Sequence, residues 1–164
     1  MALTIILIVV GFLVLLAAVF GAVILWLRGA VARRLAEATA ELGADSIIKT
    51  EPAANSFGFL SQPTTQVRGN GTLILTSRAL EFFMLVPKKR VSVPFDRITG
   101  LDNPMWWRGK SVASRLLAIY FTDDSGDDDG IAFWLKDSGS WLKETSAAMA
   151  AQGLAPVGKP GANT

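Results

Sequence analysis

The chain of 164 residues is 51% hydrophobic but only 18% charged, with 16 basic and 14 acidic side chains and neither cysteine nor histidine. Disulfide frameworks, Cys/His zinc sites, Ser-His-Asp triads and cysteine nucleophiles are excluded, because each needs a residue that the chain lacks. The length allows one ordinary domain, or a small domain with an appendage.

The apolar residues are concentrated at the front of the chain. No charged side chain occurs from Met1 to Leu27, and the first is Arg28. Because about 20 apolar residues span a hydrocarbon layer roughly 30 Å thick, residues 1–27 are predicted to form a transmembrane helix. A cleaved signal peptide is the competing interpretation, but it would carry a basic residue before a shorter apolar run. A buried core helix is disfavoured because the remaining chain is too small to surround it.

The charges that flank this segment predict its orientation. Arg28, Arg33 and Arg34 follow the apolar stretch, whereas only the α-amino group precedes it. The positive-inside rule therefore places the C-terminal part of the chain in the cytoplasm. The same three arginines are candidates for contact with lipid headgroups.

A juxtamembrane helical stem is predicted over residues 28–43. Its apolar residues recur at spacings of four, three and four, and Gly43 is a natural helix stop. These residues are Val31, Leu35, Ala38 and Leu42. The stem either packs on a partner stem, packs on the domain or serves as a solvated spacer.

Small residues spaced by four in the anchor would let two helices approach closely and form a homo-oligomer. They are the pairs Ala17/Gly21 and Ala18/Ala22.

From residue 44 onwards the chain consists of short apolar runs separated by Gly, Pro, Asn and Asp, which is typical of strands and turns. A helix over Ser138–Gln152 is predicted to follow, with Trp141 filling an open end of a barrel. The tail, 153–164, lacks the apolar content to order itself. The seven predicted strands are Ser46–Glu51, Asn55–Leu60, Gln66–Thr76, Ala79–Val86, Arg90–Phe95, Leu116–Thr122 and Ile131–Lys136.

Several segments of residues 44–152 resemble a GRAM or bacterial PH-like domain. The pattern is a G-x-L-x-L-T strand with a following L-x-F, then a V-P-F-x-x-I strand exit, an L-x-I-x-F strand and a closing helix. The matching positions are Gly71, Leu73, Leu75, Thr76, Leu80, Phe82, Val93, Pro94, Phe95, Ile98, Leu117, Ile119 and Phe121. The resemblance implies a mainly-β PH-like barrel of about seven antiparallel strands capped by a C-terminal helix. It also implies a bacterial origin and a non-catalytic binding role.

The first candidate contact site is the basic triplet Lys88, Lys89 and Arg90, at the predicted tip between two strands. Each such cation is worth about 1 kcal/mol near an anionic leaflet. The competing interpretation is a solvated turn whose charges protect a strand edge. Some domains of the PH fold bind phosphoinositides through a basic loop between their first two strands, and this chain has no dense basic loop there.

The second candidate lies in the long connection from Leu101 to Arg115. Trp106 and Trp107 stand beside Arg108 and Lys110, a combination that suits a membrane interface or a protein-binding surface. The alternative is that one or both indoles cover an open edge of the barrel.

The acidic segment 123–130 is predicted to be an exposed hairpin loop. Its oxygen-rich composition is typical of Ca²⁺ ligands, but the EF-hand pattern requires Gly and Glu where Asp128 and Trp134 stand. Contact with a basic partner or with the arginine-rich stem is a further alternative. No metal or cofactor is expected, and no catalytic motif is recognised. A Ser-Lys dyad is not excluded by the sequence.

Together these patterns predict a single-pass protein of the bacterial inner (plasma) membrane with a cytoplasmic PH-like domain. The expected role is a non-catalytic binding or scaffolding module for a protein partner or anionic lipid. The alternative is a structural subunit that oligomerises through the anchor and stem. Nucleic acid is not an expected partner, because residues 44–152 contain twelve basic and twelve acidic side chains.

Overall fold

A computed structural model describes residues 2–63 and 69–155. Anchor and stem form one continuous helix, α1 (Ala2–Leu42), which ends where Gly43 adopts a φ of +78°. The predicted stop at Gly43 is thus confirmed. By length and composition α1 can cross a membrane, with a mean hydropathy of 3.1 in its most apolar window, and none of that window is buried. A core helix would be buried, so the interpretation of α1 as a core helix does not hold. A signal peptide would be as apolar and as exposed as this window, so that alternative stays open.

The rest of the described chain forms a seven-stranded, wholly antiparallel open sheet and a second helix. Along the sheet the strands follow the order β4-β3-β2-β1-β7-β6-β5. Helix α2 (Ser138–Ala150) confirms the predicted C-terminal helix, and the Asp137 side chain caps it by accepting from the Ser140 amide. The strands are β1 (Ile47–Phe59), β2 (Gly69–Thr76), β3 (Ala79–Met84), β4 (Lys89–Pro94), β5 (Ile98–Asp102), β6 (Leu117–Thr122) and β7 (Asp128–Trp134).

Strand β1 joins two strands that were predicted separately, and strand β5 was not predicted. The chain was expected to turn at Pro52, but β1 continues through it with a shift of register between Glu51 and Ala54. Proline lacks the N–H that a regular ladder needs, and such a bulge accommodates it. Strand β5 was not among the predicted strands, and its last two residues, Leu101 and Asp102, were assigned to the long connection. Residues 66–68 of a predicted strand and 156–164 of the predicted disordered tail lie outside the described residues.

The sheet curls strongly but does not close. Strands β4 and β5 occupy opposite edges, yet only Phe95–Arg97, one turn of 3-10 helix, separates them. The four residue steps from Pro94 to Ile98 span at most about 14 Å, so the two edge strands lie close at this end without pairing. The seven antiparallel strands and the C-terminal helix of the predicted barrel are thus present, and the strands form an open sheet. The main core lies inside the curl, where Trp141 of α2 is 1% exposed.

The outer face of the sheet has two separate covers. On β2 and β3, the stem part of α1 packs on Ile74 and Phe83; we call this contact the helix cover. On β1, β6 and β7, the β5–β6 connection places Trp107 over Phe57 and Tyr120; we call this the loop cover. The stem residues in the helix cover are Leu35, Ala38 and Leu42. Of the alternatives for the stem, the structure shows packing on the chain's own domain.

Gly71 shows why the predicted motif begins with glycine. A Cβ at this position would stand 2.3 Å from the Phe83 carbonyl oxygen on the neighbouring strand. The glycine is therefore required by the close approach of β2 and β3 rather than by a ligand.

Candidate functional site

A cleft opens between α1 and the turn that joins β3 to β4. Its volume is about 650 Å³. One wall is the segment of α1 that begins at the end of the uncharged stretch, and the other is the β3–β4 turn together with the start of β2. We call it the stem cleft. It is lined by Trp26, Leu27, Ala30, Arg33, Arg34, Glu37, Asn70, Leu85, Val86 and Lys88.

Three cations and one carboxylate give the stem cleft a positive balance. Arg34 donates from Nη1 to Glu37 Oε2 at 2.9 Å, and Lys88 Nζ stands 4.0 Å from Glu37 Oε1. Arg33 lines the same cleft and is exposed. Glu37 is therefore shared between two of the three cations, and an incoming anion would compete with it for them.

Arg34 is the most constrained of these cations. Its side chain is only 13% exposed, and its guanidinium lies 5.3 Å from the centre of the Phe83 ring. The Nε–H is buried and has no hydrogen-bond partner within the described part of the chain. A buried donor without an acceptor costs about 1–3 kcal/mol, so the packing of Arg34 against Phe83 has an energetic cost.

The basic triplet is divided among three environments. Lys88 lines the stem cleft, whereas the Lys89 ammonium lies 5.8 Å from the Phe59 ring centre. Arg90 donates from Nε to Glu81 at 2.9 Å and from Nη1 to Glu41 at 3.3 Å, which ties β4 to β3 and to α1. The hydrogen bond to Glu81 raises the pKa of Arg90 above its ordinary value. Only Lys88 of the three therefore faces the cleft.

The two adjacent tryptophans also differ. Trp107 is 4% exposed, and its Nε1 donates to the Gly58 carbonyl at 2.9 Å. Trp106 is 67% exposed and lies next to Met105, which is also exposed. The expectation that one or both indoles cover an open edge of the barrel is corrected, because Trp107 lies over the outer face of the central strands β1, β6 and β7. Trp106 is left as an available apolar surface.

The neighbouring cations belong to the architecture of the same loop. Arg108, at a φ of +50°, donates to the Phe59 carbonyl at 2.5 Å and also to the Gln62 carbonyl. Lys110 is paired through its backbone with Trp107 in an isolated β-bridge. Among the arginines after the anchor, Arg28 is exposed and does not line the stem cleft.

The acidic segment 123–130 is a hairpin loop only in its first half. Asp123 accepts from the amides of Ser125 and Asp127 and so closes the turn, while β7 begins at Asp128. Asp129 is buried and accepts from both the amide and the hydroxyl of Ser61, at 2.9 and 2.7 Å. Within residues 2–63 and 69–155, no group of three or more acidic side chains is arranged to hold a metal ion.

Sequence reasoning did not predict the stem cleft, because its two walls are about 50 residues apart in the chain. One signal for it existed. Val86 is an apolar residue beside a proline at a turn, and in the structure it is 81% exposed. A single exposed valine is ordinary on a protein surface, and it becomes informative only because Leu27 and Leu85 line the same cleft beside it.

Comparisons with known proteins give no family for this chain. No protein-family model matches the sequence, and no curated protein matches it. Among solved structures, a chain of "The 8S snRNP Assembly Intermediate" has a TM-score of 0.49 at 12% identity, covering 73% of this chain and 89% of that one. The C-terminal domain of an unknown protein from Leishmania infantum has a TM-score of 0.46 at 14% identity, covering 70% and 90%. Both scores lie below 0.5, so neither likeness assigns a fold family or a function.

Proposed function

We propose that this chain is a single-pass protein of the bacterial inner membrane whose cytoplasmic PH-like domain is a non-catalytic binding or scaffolding module. The observation that carries the proposal is the helix cover. The helix that is long and apolar enough to span a membrane continues without a break and docks on the outer face of the sheet. An anchor attached in this way holds a domain in one orientation at the membrane surface, as a scaffold requires.

Two further observations support a PH-like fold. The strand order β4-β3-β2-β1-β7-β6-β5 leaves one curled sheet with its edges adjacent, and α2 covers the core from one end. The segments that resemble a GRAM or PH-like domain fall on β2, β3, β4, β6 and α2 in the expected order. The non-catalytic role is proposed from the resemblance and from the absence of a recognised catalytic motif.

The exposed Trp106 is the proposed contact for a protein partner. It stands beside Met105 on a loop that is fixed from below by the buried Trp107. Exposed aromatic side chains on a rigid support lose little entropy on binding and are frequent anchors of interfaces.

The alternative of a structural subunit that oligomerises through the stem would have to use another face of α1. The apolar stripe of the stem is occupied by the sheet, which leaves a groove lined by small residues on the other side. These residues include Ala32, Ala36 and Ala40.

The absence of cysteine makes the orientation directly testable. We expect Ala2→Cys to react with a membrane-impermeant maleimide in intact bacterial spheroplasts, because it lies at the outer end of the anchor. Ser125→Cys, at an exposed turn, should react only after the membrane is permeabilised. As a control, both variants should react fully in detergent. Labelling of Ser125→Cys in intact spheroplasts, or release of the domain without residue 2, would contradict the proposal.

A further inference from the structure

The stem cleft lies at a defined depth relative to the proposed membrane. Its first lining residues are Trp26 and Leu27, the last two of the uncharged stretch, and its remaining α1 residues lie on the three turns that follow. Tryptophan is enriched where hydrocarbon meets the headgroups. If α1 spans the bilayer as proposed above, the cleft therefore opens at the level of the lipid phosphates.

The lining of the cleft is divided between apolar and cationic groups. Leu27, Leu85 and Val86 form apolar surface, and Val86 is 81% exposed. Arg33, Arg34 and Lys88 bring three positive charges, against the single carboxylate of Glu37. A soluble anion would use the cations and leave the apolar wall in water. A phospholipid uses both, because its phosphate is joined to glycerol and acyl chains.

We propose that the stem cleft binds the phosphate of an anionic phospholipid from the leaflet adjacent to the domain. Arg33 and Lys88 pair with the phosphate oxygens, and Arg34, which lines the same cleft, adds a third positive charge. Val86 contacts the glycerol and the first acyl carbons. This inference rests on the proposed membrane anchoring and specifies which lipid chemistry the domain recognises there.

Glu37 has the opposite role to the cations. It holds Arg34 at 2.9 Å and stands 4.0 Å from Lys88, so it occupies the charges that the phosphate needs. Binding of an anionic lipid displaces this carboxylate from one or both of them. Removal of the Glu37 charge is therefore expected to strengthen lipid binding, which a merely unfolded variant does not do.

The test uses the full-length chain in detergent, titrated with phosphatidylglycerol or phosphatidylcholine and followed by native mass spectrometry. The double variant Arg33→Gln/Lys88→Gln removes two exposed cations of the cleft. The matched control, Arg28→Gln/Lys89→Gln, removes two exposed cations that do not line the cleft, one from the same helix and one from the start of β4. A third variant is Glu37→Gln. Glycerol phosphate in solution serves as a competitor without acyl chains.

The expected result is a preference for phosphatidylglycerol that falls roughly fivefold for each cleft cation removed. The control double variant should change it less than twofold, Glu37→Gln should increase it, and glycerol phosphate should not compete. Equal losses in the two double variants would reduce the site to general surface charge and overturn the proposal. An absence of preference, no gain in Glu37→Gln, or competition by glycerol phosphate would overturn it too. Because maleimide labelling reports orientation independently, failure of lipid selectivity alone leaves the anchoring proposal standing.

Discussion

The outer face of the sheet is covered in two places, by the helix cover and by the loop cover, and the covering segments come from different parts of the chain. The loop cover is local, because the β5–β6 connection folds back and buries Trp107 against strands that are close to it in the sheet. The helix cover is remote, because the stem arrives from the anchor and packs small and medium side chains on Ile74 and Phe83. Both remove apolar sheet surface from water, which is the main stabilising contribution of such contacts.

The rims of the two covers differ in charge. The loop cover is fastened by hydrogen bonds to backbone carbonyls, from Trp107 Nε1 to Gly58 and from Arg108 to Phe59. The helix cover is fastened by ion pairs, with Arg90 joining Glu81 and Glu41. A cleft opens beside each cover: the stem cleft beside the helix cover, and a smaller cleft, lined by Trp106, Arg108 and Asp102 among others, beside the loop cover. The helix cover thus borders the stem cleft, the site at which we propose that a lipid phosphate binds.

The largest expected effect is at the loop cover. Trp107→Ala should lower the free energy of unfolding by about 3–5 kcal/mol, because it removes a buried indole and leaves a cavity. The matched change Trp106→Ala should alter it by no more than about 0.5 kcal/mol, since that ring is exposed. Urea unfolding of the full chain in detergent, followed by far-UV circular dichroism, measures both. Similar losses in the two variants would mean that Trp106 is also buried.

An intermediate effect is expected at the helix cover. Ala38 is fully buried against the sheet, whereas Ala40 on the same helix is exposed. Ala38→Leu should destabilise the fold by about 1–3 kcal/mol, because extra methylene groups do not fit a packed contact. Ala40→Leu makes the same chemical change with little loss of helix propensity, and should be nearly neutral in the same unfolding experiment. A stem that does not dock would give two equal, small effects.

Sequence reasoning predicted correctly those helices and strands whose residue pattern lies within one segment of the chain. The stem stripe that includes Leu35 and Ala38, the stop at Gly43 and the helix carrying Trp141 were all predicted and all found. The predicted strand Ala79–Val86 likewise contains the observed strand β3, Ala79–Met84. These features depend on spacing within a single segment.

The features that sequence did not predict depend on contacts between segments. Pro52 was predicted to lie in a turn, but a β-bulge accommodates it within β1. Whether a proline fits there depends on the register between β1 and β2, which the local sequence does not show. Trp106 and Trp107 are identical neighbours, and only the fold of their loop decides which of them is buried. The stem cleft exists because α1 docks beside the turn that carries Lys88, a contact that no local pattern encodes.

The smallest expected change in the free energy of unfolding concerns the ion pair that joins α2 to β1 on the inner side of the sheet. It can be compared with the changes expected at the two covers. Lys49 Nζ lies 2.5 Å from Glu144 Oε1, and the Ser140 hydroxyl donates to the same carboxylate. The hydrogen bond from Lys49, followed by that from Ser140, lowers the pKa of Glu144 below its ordinary value.

A lowered folded-state pKa contributes stability that is present above the unfolded pKa, near 4.3–4.5, and is lost as pH falls through the folded value. The carboxylate is partly exposed, so solvent screening limits the contribution to about 0.5 kcal/mol or less. Unfolding of the native chain and of Glu144→Gln should therefore differ slightly at pH 6, and that difference should vanish towards pH 3. A difference between the two proteins that grows on acidification would contradict the assigned ion pair. In the same titration, Ala38→Leu should lower the free energy of unfolding by an amount that does not change with pH, because this substitution disturbs packing and not charge.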